Sequence, residues 1–222
     1  MSIVVGLKPI TRREKRNIAI IGSGNVGKAL GGAATRAGHS VAVTARDPEH
    51  AGEAAQVTGA RATVSNREAV QSAEVVVLAV PYGAVAGIIA ELGDALDGKV
   101  LVDVTNRFDP NMLDGTSNAE EIQAGARGAR VVKAFNTLLG SRMSDPVVGG
   151  VQLDGYLAGD DAAAKATVTE LVRSLGFHPV DVGPLVMARA LEALALLNIN
   201  LNAANGWVWQ TGWKLVGPTK PA

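Results

Sequence analysis

Along this chain, short continuous runs of branched apolar residues alternate with longer stretches whose apolar positions recur every three or four residues. The first pattern marks strands covered on both faces and the second marks helices lying on them, which predicts a parallel sheet with helical crossovers. Ile18–Ile21, Val41–Thr44, Arg61–Val64, Val75–Val80, Lys99–Val104 and Val131–Phe135 are the expected strands. Helices are expected from Asn25 to about Ala37 with Gly38 as cap, from Pro48 to about Val57, from a cap at Asn66 to near Ser72, and from Pro81 onward. A polar loop is expected from Thr105 to about Ser117. Beyond Gly140 the pattern changes: a short strand Gly155–Ala158, a helix capped by Asp160 or Asp161 and ended at Gly176, and a strand Phe177–Val182. Pro184 then opens a long helix, Leu185 to about Ala204, apolar on most of its circumference, which requires burial by its own chain or by a second subunit. Trp207, Trp209 and Trp213 follow; a packed core is the preferred reading, one wall of a ring-binding cleft the other.

The stretch Ile18-Ala-Ile-Ile-Gly-Ser-Gly-Asn-Val-Gly27 joins the first strand to the first helix through a glycine turn. Gly22 permits the bend, Gly24 lets backbone approach a pyrophosphate, and Gly27 lets the helix pack closely on the strand. Ser23, Asn25 and Val26 complete the loop, whose amides and helix dipole would face an anion. With a strand before it, a helix after it and a second strand at the right distance, the motif predicts a dinucleotide site on a Rossmann-type, doubly wound α/β fold. The organisation expected is a flexible extension over 1–16, a nucleotide-binding domain over 17–140, and a small, mostly helical C-terminal part over 141–222.

The end of the second strand selects the cofactor. Dinucleotide folds that take NAD place an acid there for the ribose hydroxyls; this chain has Thr44-Ala45-Arg46. A carboxylate would repel a 2′-phosphate, whereas Arg46 offers it a permanently charged fork, so NADP(H) is expected. Thr44 and His50 are secondary candidates for the phosphate. Val80, Pro81 and Tyr82 fall at the carboxyl edge of the sheet, where Tyr82 either stacks on a ring or packs. Thr105, Asn106, Asn136 and Thr137 leave the same edge and either position a nicotinamide or second ring system, or cap turns. Lys133 lies within a strand, where a buried ammonium needs a partner.

Composition removes several alternatives. Hydrophobic residues make up 47% and charged residues 19% of 222, as in a globular protein. Basic and acidic residues balance at 21 each, so no nucleic-acid footprint is expected. The absence of cysteine excludes disulfides and thiolate chemistry, and three scattered histidines argue against a metal site. No run reaches the roughly 18 apolar residues of a membrane span. The N-terminal segment carries its charge after its apolar stretch, the reverse of a secretory signal, so a cytoplasmic protein with no membrane association is expected.

Gly22-Ser-Gly-Asn-Val-Gly27, Thr44-Ala-Arg46, Val80-Pro81, Val132-Lys-Ala-Phe-Asn-Thr137, Gly159-Asp-Asp161 and Asp181-Val-Gly-Pro-Leu185 together resemble the F-420-dependent NADP oxidoreductases. They also resemble the NADPH-binding reductase domain of the six-transmembrane metalloreductases, which places a flavin against the nicotinamide. The resemblance implies NADPH at the carboxyl sheet edge, a deazaflavin (coenzyme F-420) or flavin as hydride acceptor in the adjoining cleft, and a homodimer formed through the C-terminal part. It assigns Ser23, Asn25 and Val26 to the pyrophosphate and Arg46 to the 2′-phosphate. The chain departs from F-420 enzymes at Ala45, often Ser, at His50, near which a Lys is common, and at Asn136, often His; Asn136 follows the flavin-binding relatives.

The leading expectation is therefore an NADPH-linked oxidoreductase moving hydride between ring systems, with no side chain assigned as a catalytic acid or base. An NADPH-dependent reductase of a small carbonyl or imine, which would need a proton donor, is the alternative. A non-catalytic NADP-binding regulator is the third class.

Overall fold

A computed structural model describes residues 14–108 and 115–217. The extension expected over 1–16 therefore lies outside the described residues except for its last three.

The first half is laid out as the apolar runs predict. β1 (Asn17–Ile21), α1 (Asn25–Arg36), β2 (Ser40–Thr44), α2 (Pro48–Thr58), β3 (Arg61–Thr63), α3 (Asn66–Gln71), β4 (Val75–Leu78) and α4 (Tyr82–Leu92) follow one another. β5 (Val100–Asp103), α5 (Asn118–Gly125) and β6 (Arg130–Ala134) complete it. These six strands are parallel and ordered β3-β2-β1-β4-β5-β6, which places the reversal of winding between β1 and β4. The central strands bury every residue, as an apolar run with no polar alternation requires: Val75 to Leu78 and Leu101 to Val102 are at most 3% exposed. Each such Val, Leu or Ile contributes about 1.5–3 kcal/mol.

The remainder extends the sheet. β7 (Val147–Val148) and β8 (Val151–Gln152) form a small hairpin about Gly149-Gly150, both at positive φ. β9 (Asp154–Gly159) runs antiparallel to β6, and α6 (Ala162–Ser174) returns the chain to β10 (His178–Asp181), parallel to β9. A 3₁₀ turn, Leu185–Met187, then leads into α7 (Ala188–Asn205), closed by Gly206 in the left-handed conformation.

Local chemistry explains where boundaries differ from expectation. Ser65, not Asn66, caps α3, because the Ser65 hydroxyl accepts from the Glu68 amide. Asp161 caps α6 while Asp160 accepts from the Leu185 amide at 2.8 Å, tying β9 to the entry of α7. β4 stops at Leu78, so Ala79 and Val80 belong to the turn beside the glycine loop. β6 stops before Phe135, whose φ of 62° turns the chain sharply at a buried residue. The loop expected to run to Ser117 is followed by α5, opened by a reciprocal capping box between Ser117 and Glu120.

The packed-core reading of the tryptophans does not hold for two of them. Trp207 and Trp209 are 45% and 46% exposed. The segment after α7 is held by polar anchors instead of by its indoles. The Asp154 amide donates to the Trp213 carbonyl, the buried Asp154 carboxylate accepts from Lys214 Nζ, the Leu215 amide and His178 Nδ1, and Thr211 joins Asn198 and Asn202. Burial by itself would push the Asp154 carboxyl up, yet these donors hold it below the usual carboxylate range.

Candidate active site

The cleft is assembled at the carboxyl edge of the sheet, on both sides of the β1/β4 reversal. Gly22, at φ 112°, passes so close to β4 that a Cβ would lie 2.3 Å from the Ala79 carbonyl oxygen. At Gly27 a Cβ would meet the Gly22 carbonyl oxygen at 2.1 Å. At Gly24 it would meet nothing within 4 Å, so that glycine faces open space. Gly24 is also the N-cap of α1, no side chain caps that helix, and its first turn carries no acid. A helix dipole and its first amides therefore face the opening with no capping side chain or first-turn acid among the described residues to answer them.

Two cavities meet there and share Gly24, Ala79, Val80 and Pro81. The larger, 640 Å³, extends over β2 and α4 and is lined by Gly22, Ser23, Thr44, Ala45, Arg46 and Glu91, among others. Its floor is a chain of hydrogen bonds: the Gly22 amide donates to Thr44 Oγ1 at 3.4 Å, that hydroxyl donates to Asn66 Oδ1 at 2.7 Å, and Asn66 Nδ2 donates to Glu91 Oε2 at 3.0 Å. Arg46 is exposed at the rim and, among the described residues, makes no hydrogen bond or ion pair. His50 is engaged elsewhere: its ring is 2.6 Å from Asp47, the cap of α2, and that hydrogen bond raises the His50 pKa.

The smaller cavity, 480 Å³, is lined by Asn25, Val26, Tyr82, Val104, Thr105, Asn106 and Phe108 in addition to the shared residues. Tyr82 turns its hydroxyl to Glu121 at 3.0 Å and its ring to the Arg107 guanidinium, 5.4 Å away. Among the described lining residues Tyr82 is the only titratable one. Asn136 and Thr137 do not reach the wall; they are buried behind it. Asn136 Nδ2 donates to Asn106 Oδ1 and to the Leu191 carbonyl at 2.9 and 3.0 Å, and Asn106 Nδ2 returns a bond to the Asn136 carbonyl. Asn136 thus sets Asn106 from behind and fixes the first turn of α7. None of the three tryptophans lines either cavity among the described residues.

Beneath this wall lies a buried charged cluster that the sequence reading missed apart from Lys133. Lys133 Nζ donates to Asp103 Oδ2 at 2.8 Å, Glu192 Oε1 at 2.8 Å and the Thr105 carbonyl at 2.6 Å, all three side chains being within 2% of full burial. The other oxygen of Asp103 accepts from the amide and hydroxyl of Thr105, and Asn118 donates its amide to Glu192 and its side chain to the Thr105 hydroxyl. Burial pushes the Glu192 carboxyl up, against the pull of Lys133. A signal for half of this was present: Asp103 and Lys133 are paired in register at the ends of neighbouring apolar strands. Glu192, on a helix 59 residues further along, had no comparable local signal.

These features fit NADP(H). The unanswered helix terminus and the open Gly24 suit the pyrophosphate, Arg46 suits the 2′-phosphate, and two cavities meeting at the glycine loop suit a molecule with a nucleotide at each end.

Comparison with known proteins agrees. Residues 17–107 match the family model for coenzyme F420-dependent NADP oxidoreductases. The F420-dependent NADP reductase of Methanothermobacter marburgensis is 33% identical over 214 residues, covering 85% of this chain and 93% of that protein. The metalloreductase STEAP3 of Rattus norvegicus is 35% identical over 190 residues, 83% of this chain; the chain spans only 37% of that relative's length. A crystal structure from Arthrobacter sp. FB24, provisionally assigned as an F420-dependent NADP reductase, superposes with a TM-score of 0.81 at 30% identity, covering 91% of this chain and all of the other.

Proposed function

Because the chain belongs to the family of F420-dependent NADP oxidoreductases and is an NADP-dependent oxidoreductase, we propose that it moves hydride between NADP(H) and a deazaflavin or flavin held in the 480 Å³ cavity. The observation that carries the acceptor is the chemistry of that cavity's wall. Apart from Tyr82, whose hydroxyl is on Glu121, its described side chains are apolar, amide or hydroxyl groups. Such a wall orients flat rings and excludes water but supplies no acid or base that exchanges protons near neutral pH.

In this reading Ser23, Gly24, Asn25 and Val26 hold the pyrophosphate through backbone amides, and Arg46 holds the 2′-phosphate. NADPH supplies a hydride from its nicotinamide when bound. Thr105 and Asn106 shape the place where the two rings meet, and the Lys133 cluster and Asn136 fix those two residues from behind. Ring-to-ring transfer asks the protein for position and a fixed electrostatic environment, which a wall braced by buried hydrogen bonds provides. The homodimer is part of the same proposal. It rests on the outer side of α7 and the segment after it, where Leu197, Trp207, Val208 and Trp209 are 45–77% exposed on the single chain. A cytoplasmic site of action is likewise proposed: contrary to the expectation that no run reaches span length, Leu185–Asn205 has the length and apolar composition of a membrane span, but 39% of its most apolar 18 residues are buried within this chain, with Leu191, Ala195, Asn198 and Asn202 turned inward.

The test is NADPH oxidation by the purified protein, sized first by light scattering, with F420, FMN, FAD, riboflavin, a small ketone and a cyclic imine supplied separately. Turnover with a deazaflavin or flavin that survives Tyr82→Phe, from a dimer at micromolar concentration, is expected. Activity only with carbonyl or imine compounds, lost on Tyr82→Phe, would replace the proposed acceptor, and a monomer would remove the dimer.

A further inference from the structure

The larger cavity contains a feature that phosphate recognition leaves unused. α4 presents Gly83, Ala84, Gly87, Ile88 and Glu91 to it, one face of the helix by their spacing. A Cβ at Gly83 or Gly87 would meet nothing within 4 Å, so the helix backbone is bare at these two positions, one turn apart and beside Ala84 and Ile88, and forms a shelf. A planar base can lie there as a side chain would not allow. One turn beyond Gly87, about 6 Å along the helix, the shelf ends in the Glu91 carboxylate. Glu91 is not a loose surface charge: Asn66 Nδ2 holds its Oε2, and Asn66 is itself set by Thr44. One carboxylate oxygen is thereby oriented by the protein, and the other has no hydrogen bond among the described residues.

We propose that Glu91 is the base-reading residue of the nucleotide site, accepting a hydrogen bond from the exocyclic amino group of adenine lying on the Gly83–Gly87 shelf. The inference rests on the proposal that the adenosine half of NADP(H) occupies this cavity. An ionised carboxylate only accepts. The amino group is the donor at the edge of adenine far from the ribose, and Glu91 lines the same cavity as Arg46. Hypoxanthine carries a carbonyl oxygen at that position, and an acceptor set against an acceptor is repulsive. Asn66 contributes by orientation alone; Glu91 makes the discrimination.

The experiment is a fluorescence titration of the full chain with NADPH and with its reduced hypoxanthine analogue, for the unmodified protein and for Glu91→Gln. Because Glu91 is exposed, the substitution leaves the core untouched. A hydrogen bond to a charged acceptor predicts that the unmodified protein binds NADPH about tenfold more tightly than the analogue. In Glu91→Gln, whose amide both donates and accepts, the ratio is expected to fall to within about threefold of unity, with NADPH itself bound more weakly. Equal affinities for the two dinucleotides in the unmodified protein, or an unchanged ratio in Glu91→Gln, would overturn the role of Glu91 while leaving NADPH binding in place. Absence of saturable NADPH binding to the unmodified protein would overturn both this assignment and the cofactor reading beneath it.

Discussion

The two halves of the cleft are built on opposite plans. The larger cavity, proposed for the adenosine half, is made from short stretches around β1, β2 and α4, and its charged groups, Arg46 and Glu91, stand in solvent. The smaller cavity, proposed for the acceptor, includes in its wall Thr105 and Asn106, which owe their places to Asp103, Lys133, Asn136 and Glu192, gathered from two strands, the turn after one of them and a distant helix, and all buried. The first plan suits a site that must recognise fixed charges on a soluble ligand. The second suits a site where position matters more than charge. It ties stability to chemistry there, because a buried ion cluster is costly to break one member at a time.

That difference is broken most severely at Lys133. Lys133→Met removes the only cation facing Asp103 and Glu192 among the described residues and leaves two carboxyls buried. A loss of about 3–5 kcal/mol in urea unfolding is expected, with turnover falling further than the folded fraction does. None of the cluster's residues lines the larger cavity, where the phosphate end is proposed to bind. Binding of 2′-phospho-ADP-ribose, the cofactor fragment without nicotinamide, is therefore expected to stay within about threefold in the folded protein. If the fragment's affinity fell in step with turnover, the two halves would be one cooperative unit and the contrast would be lost.

Arg46 tests the other half. Arg46→Asp replaces a cation at the rim with the acid that NAD-binding folds place there. NADPH affinity is expected to fall by about ten- to a hundredfold, from the loss of charge-assisted hydrogen bonds worth about 1.5–3 kcal/mol, while NADH binding holds or improves. Stability is expected to change by less than about 0.5 kcal/mol, as for an exposed residue with no partner among the described residues. Equal binding of NADH and NADPH by the unmodified chain would remove Arg46 from the phosphate site.

The same contrast explains what could be read from the chain before its structure. Gly22, Gly24, Gly27 and Arg46 are placed by local geometry, so a strand, a turn and a strand end suffice to predict where they stand, around the larger cavity and the start of α1. Thr105 and Asn106 were legible as polar residues at a strand end, but Asn136 and Thr137 looked equivalent to them and are not. The turn at Phe135 carries them behind the wall. Ser117-Asn-Ala-Glu120 spells a capping box, and α5 was within reach of that signal. The bond from Glu192 to Lys133, and the half-exposed state of Trp207 and Trp209, follow from how α7 and its tail dock, which no periodicity along the chain encodes. Trp content says burial is favourable; it does not say that Asp154 and Asn202 will hold the tail in a path that leaves two indoles outside.

The smallest effect expected separates the inside of the α5–α7 seam from its outside. Inside, the buried Asn118 amide donates directly to Glu192 across the two helices; outside, Arg189 grips Glu120 through Nε and Nη2 at 2.8 and 2.7 Å, with 37% of the arginine side chain exposed. The Arg189 fork, aided by Ser117, holds the Glu120 carboxyl well below its ordinary 4.5, at about 2. A carboxyl depressed in the folded state contributes its stability fully above about 4.5 and loses it as pH falls toward about 2, where folded and unfolded chains are both protonated. Glu120→Gln keeps an oxygen for the Ser117 amide, so the capping box survives in its Gln form, while the charge facing Arg189 is gone. Exposure and screening limit the loss at pH 7 to about 1 kcal/mol or less. Urea midpoints for the unmodified and substituted chains should therefore converge as pH falls from about 4.5 toward 2 and stay separated above it. A gap that persists unchanged through that window would mean the cap, not the ion pair, is what Glu120 contributes, and would leave the seam held from its buried side alone.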